Sequence, residues 1–510
     1  MNQRKAGVIL SYFNTGLNSI IMLLYVPMLL HYLTKAQYGV YQLMGSLIAM
    51  LSLMDFGLGN SVTRFLSQAK ARKDAEGEKD VLSTARFLYL LICIVILLVG
   101  GVLYFFITPL YQHTLSAQEL LLAKQIFVLL LVNFVICISG NIFISVLFAY
   151  ERFIPWQLIC LINTITMPLM AWAVLSWKAD ALYLVIIQTL CNMFYVGLNY
   201  WYCRFKLAVR FPISFQHKEL LKRLATFSLF VFIGNVSGQV YWRLGSFVLG
   251  AIVGAVAVAN YYIGTQICLF FLIFSGSIGG IFFPKLSADW VINYSLATHN
   301  DIFCKTGRLQ AMIAFLVLTG FAFLGKQFLF LWLGPGNEIC YWVALIFMVG
   351  YSLSIIQNVA GSILQAIDKY AFYAWASLAI SAVNIVVAII LTRVYGLIGC
   401  AVSTALCLLV GLGIVLNIYY SKIGLDVKRF FQQLTSVFIG ALGAGVCLWF
   451  IFSKWPVENT WISFIVHGCS IVAIYTGIMI GFVFNAFEKS LLIEGINYTK
   501  RFLCFLRREQ

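Results

Sequence analysis

Charged residues are scarce in this sequence, and acidic residues are the scarcest of them. Only 10% of the 510 residues are Asp, Glu, Lys or Arg, whereas 62% are hydrophobic, and the mean hydropathy is +0.94. A soluble chain of this length needs a much larger polar surface, which excludes a soluble enzyme or scaffold. The composition is that of a polytopic membrane protein.

Several functional signatures are also missing. The thirteen cysteines form no Cys-x-x-Cys pair and the five histidines do not cluster, so we expect no metal, cofactor or redox site. No G-x-x-x-x-G-K-[ST] loop is present, which argues against an ATP-driven pump. The predicted outer loops are short, and the first, His31–Tyr38, lacks Asp and Glu, so we do not expect an enzyme.

What the chain has instead is a series of apolar windows long enough to cross a bilayer core of about 30 Å. The predicted fold is an all-α polytopic membrane protein with about 14 transmembrane helices. The approximate spans are 8–32, 38–60, 84–110, 121–149, 155–177, 181–203, 225–249, 254–283, 308–333, 340–365, 371–393, 396–420, 431–453 and 461–484.

Lysine and arginine, 34 in all, lie mostly in alternate loops between these spans. The opposite side holds Lys35, Lys124, Lys178, Lys326, Arg393 and Lys454. Because cytoplasmic loops are enriched in Lys and Arg, both termini are predicted to be cytoplasmic. The net charge of +16 then reflects topology and contact with anionic lipids rather than nucleic-acid binding, since no basic domain stands outside the spans.

Weak internal similarity recurs at an offset of about 218 residues, as in transporters built from repeats. Ala149–Phe153 resembles Ala366–Tyr370, and Leu198–Tyr202 resembles Leu416–Tyr420. We therefore predict two six-helix lobes related as a parallel pseudo-repeat, plus two extra C-terminal helices. The domains are an N-lobe at 1–203, a cytoplasmic inter-lobe linker at 204–224, a C-lobe at 225–420, the extra helices at 421–484 and a basic cytoplasmic tail at 485–510.

The span at 225–249 carries Arg243, the Lys or Arg that lies deepest in any apolar window. A charge at mid-bilayer costs about 2.5–3.5 kcal/mol on insertion scales, so such residues are candidate functional residues. At 100° per residue, one narrow stripe contains Ser228, Asn235, Gln239, Trp242, Arg243 and Ser246. The first span, its partner in the repeat, has a similar stripe made of Ser11, Asn14, Thr15, Asn18, Met22 and Tyr25.

Two such stripes facing each other would line a hydrated cleft between the lobes. The alternative for each Asn or Gln is a hydrogen bond between helices, worth about 0.6 kcal/mol on average. Arg243 also has an alternative position: it lies about 9 Å from the outer end of its span, so its side chain could snorkel to the outer interface.

The run Tyr32 to Ser67 resembles the start of the polysaccharide-export branch of the multidrug/oligosaccharidyl-lipid/polysaccharide (MOP) transporter superfamily, the Wzx-type flippases. The resemblance rests on Tyr38-Gly39, on Asp55-Phe56-Gly57-Leu58-Gly59 followed by Arg64, and on the 6+6+2 helix plan over the whole chain. It implies two lobes that rock around a cationic cavity in the bacterial inner membrane. It also implies movement of undecaprenyl-diphosphate-linked oligosaccharide to the outer leaflet, with membrane lipids and a polysaccharide polymerase or export machinery as partners.

The residue types of the two polar stripes suit that substrate, because a lipid-linked sugar diphosphate needs a cation, many hydrogen-bonding groups and aromatic faces. We expect Arg243 to attract the diphosphate, with the glycan contacted by Asn14, Asn18, Asn235, Gln239, Tyr25 and Trp242. Asp55 could carry a coupling ion, pair with Arg64, or simply end a helix before Gly57 and Gly59. Glu151 and Asp368 occupy equivalent cytoplasmic turns and are candidate gating residues.

Other functions stay open at this point. A cation-coupled multidrug or metabolite antiporter of the same fold would favour several buried carboxylates, whereas Asp55 stands alone within the spans. A peptidoglycan lipid-precursor flippase would differ mainly in its cavity lining. A membrane glycosyltransferase or polymerase would need catalytic acids that the outer loops do not offer.

Overall fold

The computed structural model describes residues 3–55, 57–212, 239, 241–276, 296–366, 369, 371–455 and 458–490. Within these ranges the chain is helical and contains no β-strand, so the all-α prediction is confirmed. The helices are α1 Gln3–Tyr32, α2 Lys35–Leu51, α3 Leu58–Ala71, α4 Ala75–Tyr111, α5 Ala117–Ala149, α6 Phe153–Trp177, α7 Ala181–Trp201, α8 241–252, α9 Ala255–Gly276, α10 Leu296–Leu333, α11 Glu338–Ile356, α12 Asn358–Ala366, α13 Ala371–Leu406, α14 Gly413–Lys422, α15 Val427–Lys454 and α16 Trp461–Ile478.

Twelve helical stretches within the described residues are long and apolar enough to cross a membrane. One of them, Ala371–Lys422, covers two predicted spans, and it contains Gly396, whose φ of 58° and ψ of −136° are not helical. The predicted span 225–249 lies mostly outside the described residues. The predicted number of 14 helices is therefore approximate, while the membrane-protein class is confirmed.

Acidic side chains, rare in this sequence, are used repeatedly to begin helices. Asp74 accepts a hydrogen bond from the backbone N–H of Gly77 over 2.8 Å, and Asp426 accepts one from that of Arg429 over 2.9 Å. Ser116 and Glu119 form a reciprocal capping box at the start of α5. Each bond satisfies an N–H that the first turn of a helix leaves without a partner.

The helices form two compact units. The N-terminal unit comprises Met1–Ile263 and Ser377–Thr404, and its α5 packs against α2, α3, α4 and α7, while α6 packs against α1 and α7. Part of α13 belongs here because Ala388 packs with Leu244 and Val248 of α8 in one small buried cluster. The predicted lobe boundaries, 1–203 and 225–420, stay a prediction.

The C-terminal unit comprises Gly264–Ala376 and Ala405–Gln510, and within it α10 packs against α11, α15 and α16. Leu324, Leu448 and Ile471 form a buried apolar cluster between these long helices. Residues after α16, which the sequence assigns to a cytoplasmic tail, also contribute: Glu488 is buried, with only 3% of its surface exposed.

Candidate functional site

A break between α2 and α3 exposes backbone and polar side chains inside the N-terminal unit. One turn of 3-10 helix, Ser52–Asp55, ends α2, and Gly57 then adopts a φ of 68°, which glycine tolerates without strain. The Nδ2 of Asn141 donates to the Oδ1 of Asp55 over 3.5 Å, and the phenol of Tyr89 is within electrostatic range of the same carboxyl group. Asp55 therefore ends a helix and also lies among polar side chains of α4 and α5.

The tyrosine–glycine pair at the start of α2 is a close contact point between helices. A Cβ atom on Gly39 would overlap the carbonyl oxygen of Ala255, at the start of α9. Tyr38 is fully buried, and its ring meets that of Tyr262 edge to face, with 6.2 Å between centroids. Residue 39 must be glycine for these backbones to approach so closely.

Four phenols gather next to this contact, and we call them the tyrosine cluster: Tyr25, Tyr38, Tyr41 and Tyr262. The hydroxyl group of Tyr41 donates to the Oε1 of Gln188 over 3.1 Å. The hydroxyl group of Tyr25 is buried and has no hydrogen-bond partner among the described residues. A buried hydroxyl group without a partner is energetically costly, so it is a candidate for binding a ligand or water.

Arg243 of α8 lies at the edge of the tyrosine cluster. Its guanidinium group is within electrostatic range of the Tyr262 phenol. Its side chain is partly buried, and its Nε is buried without a hydrogen-bond partner in the described part of the chain. The structure thus places two predicted site residues, Arg243 and Tyr25, around one unpredicted residue, Tyr262.

The structure describes two of the other three predicted site residues of the span 225–249. The Nε2 of Gln239 is 3.5 Å from the Oγ of Ser52, in the 3-10 turn that holds Asp55. Trp242 is partly buried beside Arg243 on α8. Asn235 lies outside the described residues. Gln239 therefore connects the chain just before α8 with the 3-10 turn that ends α2.

In the polar stripe of α1, Asn14 is hydrogen-bonded and Asn18 is exposed. The Nδ2 of Asn14 donates to the Oε1 of Gln157 over 2.6 Å and to its backbone oxygen over 2.9 Å. This is the hydrogen bond between helices that the sequence left open as an alternative, here joining α1 to α6. Asn18, one turn later, is exposed in the isolated chain.

The predicted gating residues lie at helix ends. Glu151 is exposed and adopts a φ of 54° directly after α5. Its neighbour Tyr150 donates to the Oε2 of Glu78 over 2.6 Å, and burial together with that carboxylate raises the pKa of Tyr150. Arg64 is exposed on α3, 6.0 Å from the ring of Phe65. Asp368 lies outside the described residues.

Sequence reasoning missed a buried ion pair in the C-terminal unit. The Nε and Nη2 of Arg308 donate to the two carboxylate oxygens of Glu488, over 2.7 and 3.1 Å. The guanidinium group of Arg308 also donates to three further acceptors: the backbone oxygens of Gln433 and Val483 and the Oγ of Ser436. No pattern near either charged residue revealed the other, because 180 residues separate them.

Comparison with known proteins assigns the chain to a protein family. The family model described as "Polysaccharide biosynthesis protein" matches residues 5–289, more than half of the chain. The chain belongs to this family. The match confirms the resemblance inferred from Tyr32 to Ser67, and it covers the tyrosine cluster, Asp55 and Arg243. No curated protein sequence matches the chain significantly.

Solved structures show which fold this chain has. The chain is similar to lipid II flippase MurJ in an inward closed conformation, at 16% identity and a TM-score of 0.74 over 92% of this chain and 98% of that one. It is also similar to an inward-facing multidrug resistance MATE family transporter of the MOP superfamily, at 12% identity and a TM-score of 0.65 over 80% and 95%. The fold is thus that of MOP-superfamily transporters, and the predicted fold class is confirmed.

Proposed function

We propose that this polysaccharide biosynthesis protein is a Wzx-type flippase of the inner membrane. It moves undecaprenyl-diphosphate-linked oligosaccharide from the inner to the outer leaflet by alternating access, with both of its termini in the cytoplasm. It acts as a transporter rather than an enzyme and needs no cofactor. The observation that carries this proposal is Arg243, a cation on α8 beside the tyrosine cluster whose buried Nε has no hydrogen-bond partner among the described residues.

A diphosphate is the chemical group that this arrangement suits best. Arginine donates in a planar fork that matches phosphate oxygens, and such bonds are stronger where water is excluded. Tyr262 lies within electrostatic range of Arg243, and the Tyr25 hydroxyl group is a second buried donor without a partner in the described ranges. Together they supply a positive charge and neutral donors, without a carboxylate among the cluster residues to compete for Arg243.

The glycan is contacted by the polar stripes. Asn18 is exposed, and Gln239, Trp242 and Asn235 lie on or before α8. The Nδ2 of Asn14 donates to Gln157, but its Oδ1 is buried and no described residue donates to it, so it can accept a hydrogen bond from a sugar hydroxyl group. Aromatic faces from Tyr25 and Trp242 suit the apolar faces of sugar rings.

Alternating access requires contacts that can close one end of the cleft. Gly39 against Ala255 and Tyr38 against Tyr262 join helices that the sequence assigns to different lobes. The Oγ1 of Thr114 also donates to the backbone oxygen of Gly250 over 2.6 Å, at the predicted outer end. We assign these contacts to the outer gate, and the turns at Glu151 and Asp368 to the cytoplasmic one.

Asp55 is the proposed coupling site. Asn141 and Tyr89 surround its carboxyl group with neutral polar groups, an arrangement that can hold a proton or a monovalent cation. Arg64, on the same segment, would respond to its charge. This carboxylate also favours the alternative of a cation-coupled antiporter like the MATE transporters, while the likeness to MurJ favours a peptidoglycan-precursor flippase as a further alternative.

The test replaces Arg243 with Ala and with Lys and measures surface glycan at matched protein levels. We expect the Ala variant to lose most export and the Lys variant to retain part of it, because a lysine keeps the charge but not the fork. Full export by Arg243→Ala would overturn the cation role. Undiminished surface glycan in cells lacking the protein, together with loss of drug efflux, would favour the antiporter.

A further inference from the structure

A second, basic cavity lies in the N-terminal unit, away from Arg243. It has a volume of about 850 Å³ and opens at the helix ends that are predicted to be cytoplasmic. Four cationic side chains line it, and they come from two separate parts of the chain: Lys79, Arg86, Arg204 and Arg210. None of the residues that line it is acidic.

The cavity is built by the segment that follows α7. The helix widens into a π turn at Tyr202–Lys206, and Ala208 then takes a φ of 54°, which turns the chain back. The backbone N–H of Val209 donates to the oxygen of Cys203 over 3.1 Å, and Arg86 donates through Nη1 to the backbone oxygen of Phe211. These bonds hold Arg210 and Phe211 against α4.

Aromatic rings form one wall. Phe143 packs edge to face against Phe211, with 5.1 Å between centroids, and lies 5.3 Å from the ring of Tyr200. Beside the cavity, α4 and the π turn present exposed apolar side chains, Leu90 at 44% and Phe205 at 69%. The pocket therefore combines a cationic lining with an apolar flank.

Two nearby carboxylates lie outside the lining and have hydrogen-bond partners of their own. Glu78 accepts the hydrogen bond of Tyr150, and Asp74 caps α4. Arg86 holds the Phe211 carbonyl group, which carries no net charge. The four cations consequently act as a positive field that an anion can enter.

The fold alone does not require this charge. Shifted by about 218 residues, Ser139 corresponds to Gln357 and Phe143 to Gly361. Those residues line a cavity of about 130 Å³ in the C-terminal unit that contains no charged side chain. Hydrogen bonds at positions 218 residues apart show the same correspondence. Asn199 donates to the backbone oxygen of Tyr195 over 2.8 Å, and Asn417 donates to that of Gly413 over 2.7 Å.

We propose that the cavity lined by Lys79, Arg86, Arg204 and Arg210 binds the phosphate headgroup of a lipid from the cytoplasmic leaflet. The guanidinium and ammonium groups bind the phosphate oxygens, and the hydrocarbon chains lie along the apolar flank. An anionic phospholipid and an undecaprenyl diphosphate lipid both carry this chemistry. The lining includes neither Arg243 nor a residue of the tyrosine cluster, and it shares Tyr89 with the surroundings of Asp55. Lipid binding at this site is measured without transport, so its failure can be told apart from failure of the proposed function.

The test uses the full chain purified in detergent and measures lipid binding by native mass spectrometry and by the shift in melting temperature. The probes are phosphatidylglycerol, undecaprenyl diphosphate and, as a zwitterionic control, phosphatidylcholine. The pocket variant combines Lys79→Gln, Arg204→Gln and Arg210→Gln, and leaves Arg86 to hold Phe211. The matched control removes three exposed cations outside the lining at the same end, by Arg72→Gln, Arg152→Gln and Lys206→Gln.

We expect the pocket variant to bind the phosphate lipids about tenfold more weakly or worse, and the control variant to bind them as the natural chain does. Unchanged binding by the pocket variant, or an equal loss in both variants, would overturn the site. If the combined variant does not fold, Arg210→Gln alone, at an exposed position, tests the same expectation. Competition identifies the source: displacement of phosphatidylglycerol by undecaprenyl diphosphate indicates a loading site for the lipid diphosphate, and its failure indicates a structural phospholipid site.

Discussion

Two arginines lie within the helical bundle, Arg308 in the C-terminal unit and Arg243 in the N-terminal unit. Arg308 is 6% exposed and donates to Glu488, two backbone oxygens and a serine hydroxyl group. Arg243 has the phenol of Tyr262 within electrostatic range and an Nε without a partner among the described residues. The same side chain is therefore saturated by the protein in one place and left available in the other.

This difference separates a structural residue from a candidate binding residue. A buried cation whose donors are all satisfied has nothing left to offer a ligand, and its removal strands the partner carboxylate. A cation with an unused donor costs stability as it stands, so its retention calls for another explanation. The following predictions test whether the contrast holds.

The largest effect is expected for Arg308→Ala. Glu488 would remain buried without its counter-charge, which costs about 3–5 kcal/mol of unfolding free energy. We expect loss of the monodisperse protein on size-exclusion chromatography and a large fall in melting temperature. Arg429→Ala is the control, since its ion pair with Asp301 is exposed and worth at most about 1 kcal/mol. Equal effects of the two substitutions would contradict a structural role for Arg308.

Gly39→Ala should rank second. The added Cβ overlaps the Ala255 carbonyl oxygen, and relieving that overlap costs about 1–3 kcal/mol and separates Tyr38 from Tyr262. Gly45→Ala on the same helix is the control, because nothing lies within 4 Å of its added Cβ. A melting curve for Gly39→Ala that matches the Gly45→Ala curve would show that the α2–α9 contact is looser than described.

Arg243→Ala should change the unfolding free energy by less than about 1 kcal/mol, because the described part of the chain contains no ion-pair partner of Arg243 that would be left buried. Its effect should appear in export, which we expect to fall at unchanged melting temperature. A fall in melting temperature as large as that of Arg308→Ala would remove the contrast between the two arginines.

The smallest effect is expected for Asn14→Ala. Loss of the hydrogen bonds to Gln157 should cost about 0.6 kcal/mol, and at most about 1.7 kcal/mol. Asn18→Ala, one turn away and exposed, should leave the melting temperature unchanged while lowering export if the cleft binds glycan there. Reversal of the two outcomes would show that Asn18 holds helices together and that Asn14 faces the substrate.

The sequence predicted the helices because apolar length and helical periodicity are local properties. It placed Arg243 and Tyr25 on polar stripes, and the structure brings both close to Tyr262. Periodicity gives the face of a helix but not the neighbour of that face. For this reason the Asn14–Gln157 bond, across 143 residues, could not be foreseen.

Arg308 and Glu488 also show that a local sequence pattern does not reveal which residue a side chain will contact. Each stands at or just beyond the edge of a predicted apolar span, where a charge usually meets water, so neither residue pointed to a buried partner. Only the packing of α10 against the segment that follows α16 makes them partners. Tyr262, by contrast, had a local signal, since Asn260-Tyr261-Tyr262 is a polar and aromatic run within an apolar span.

The acidic helix caps have a consequence for the whole molecule. Asp74, Asp180, Asp426 and Glu119 each accept a hydrogen bond from a backbone N–H group at the start of a helix, which uses part of the hydrogen-bonding capacity of the few acidic side chains. With 34 basic and 18 acidic residues, the chain thus lacks internal counterions for much of its positive charge. Mobile anions or anionic lipids must supply them, which ties the solution behaviour of the purified protein to salt and lipid composition.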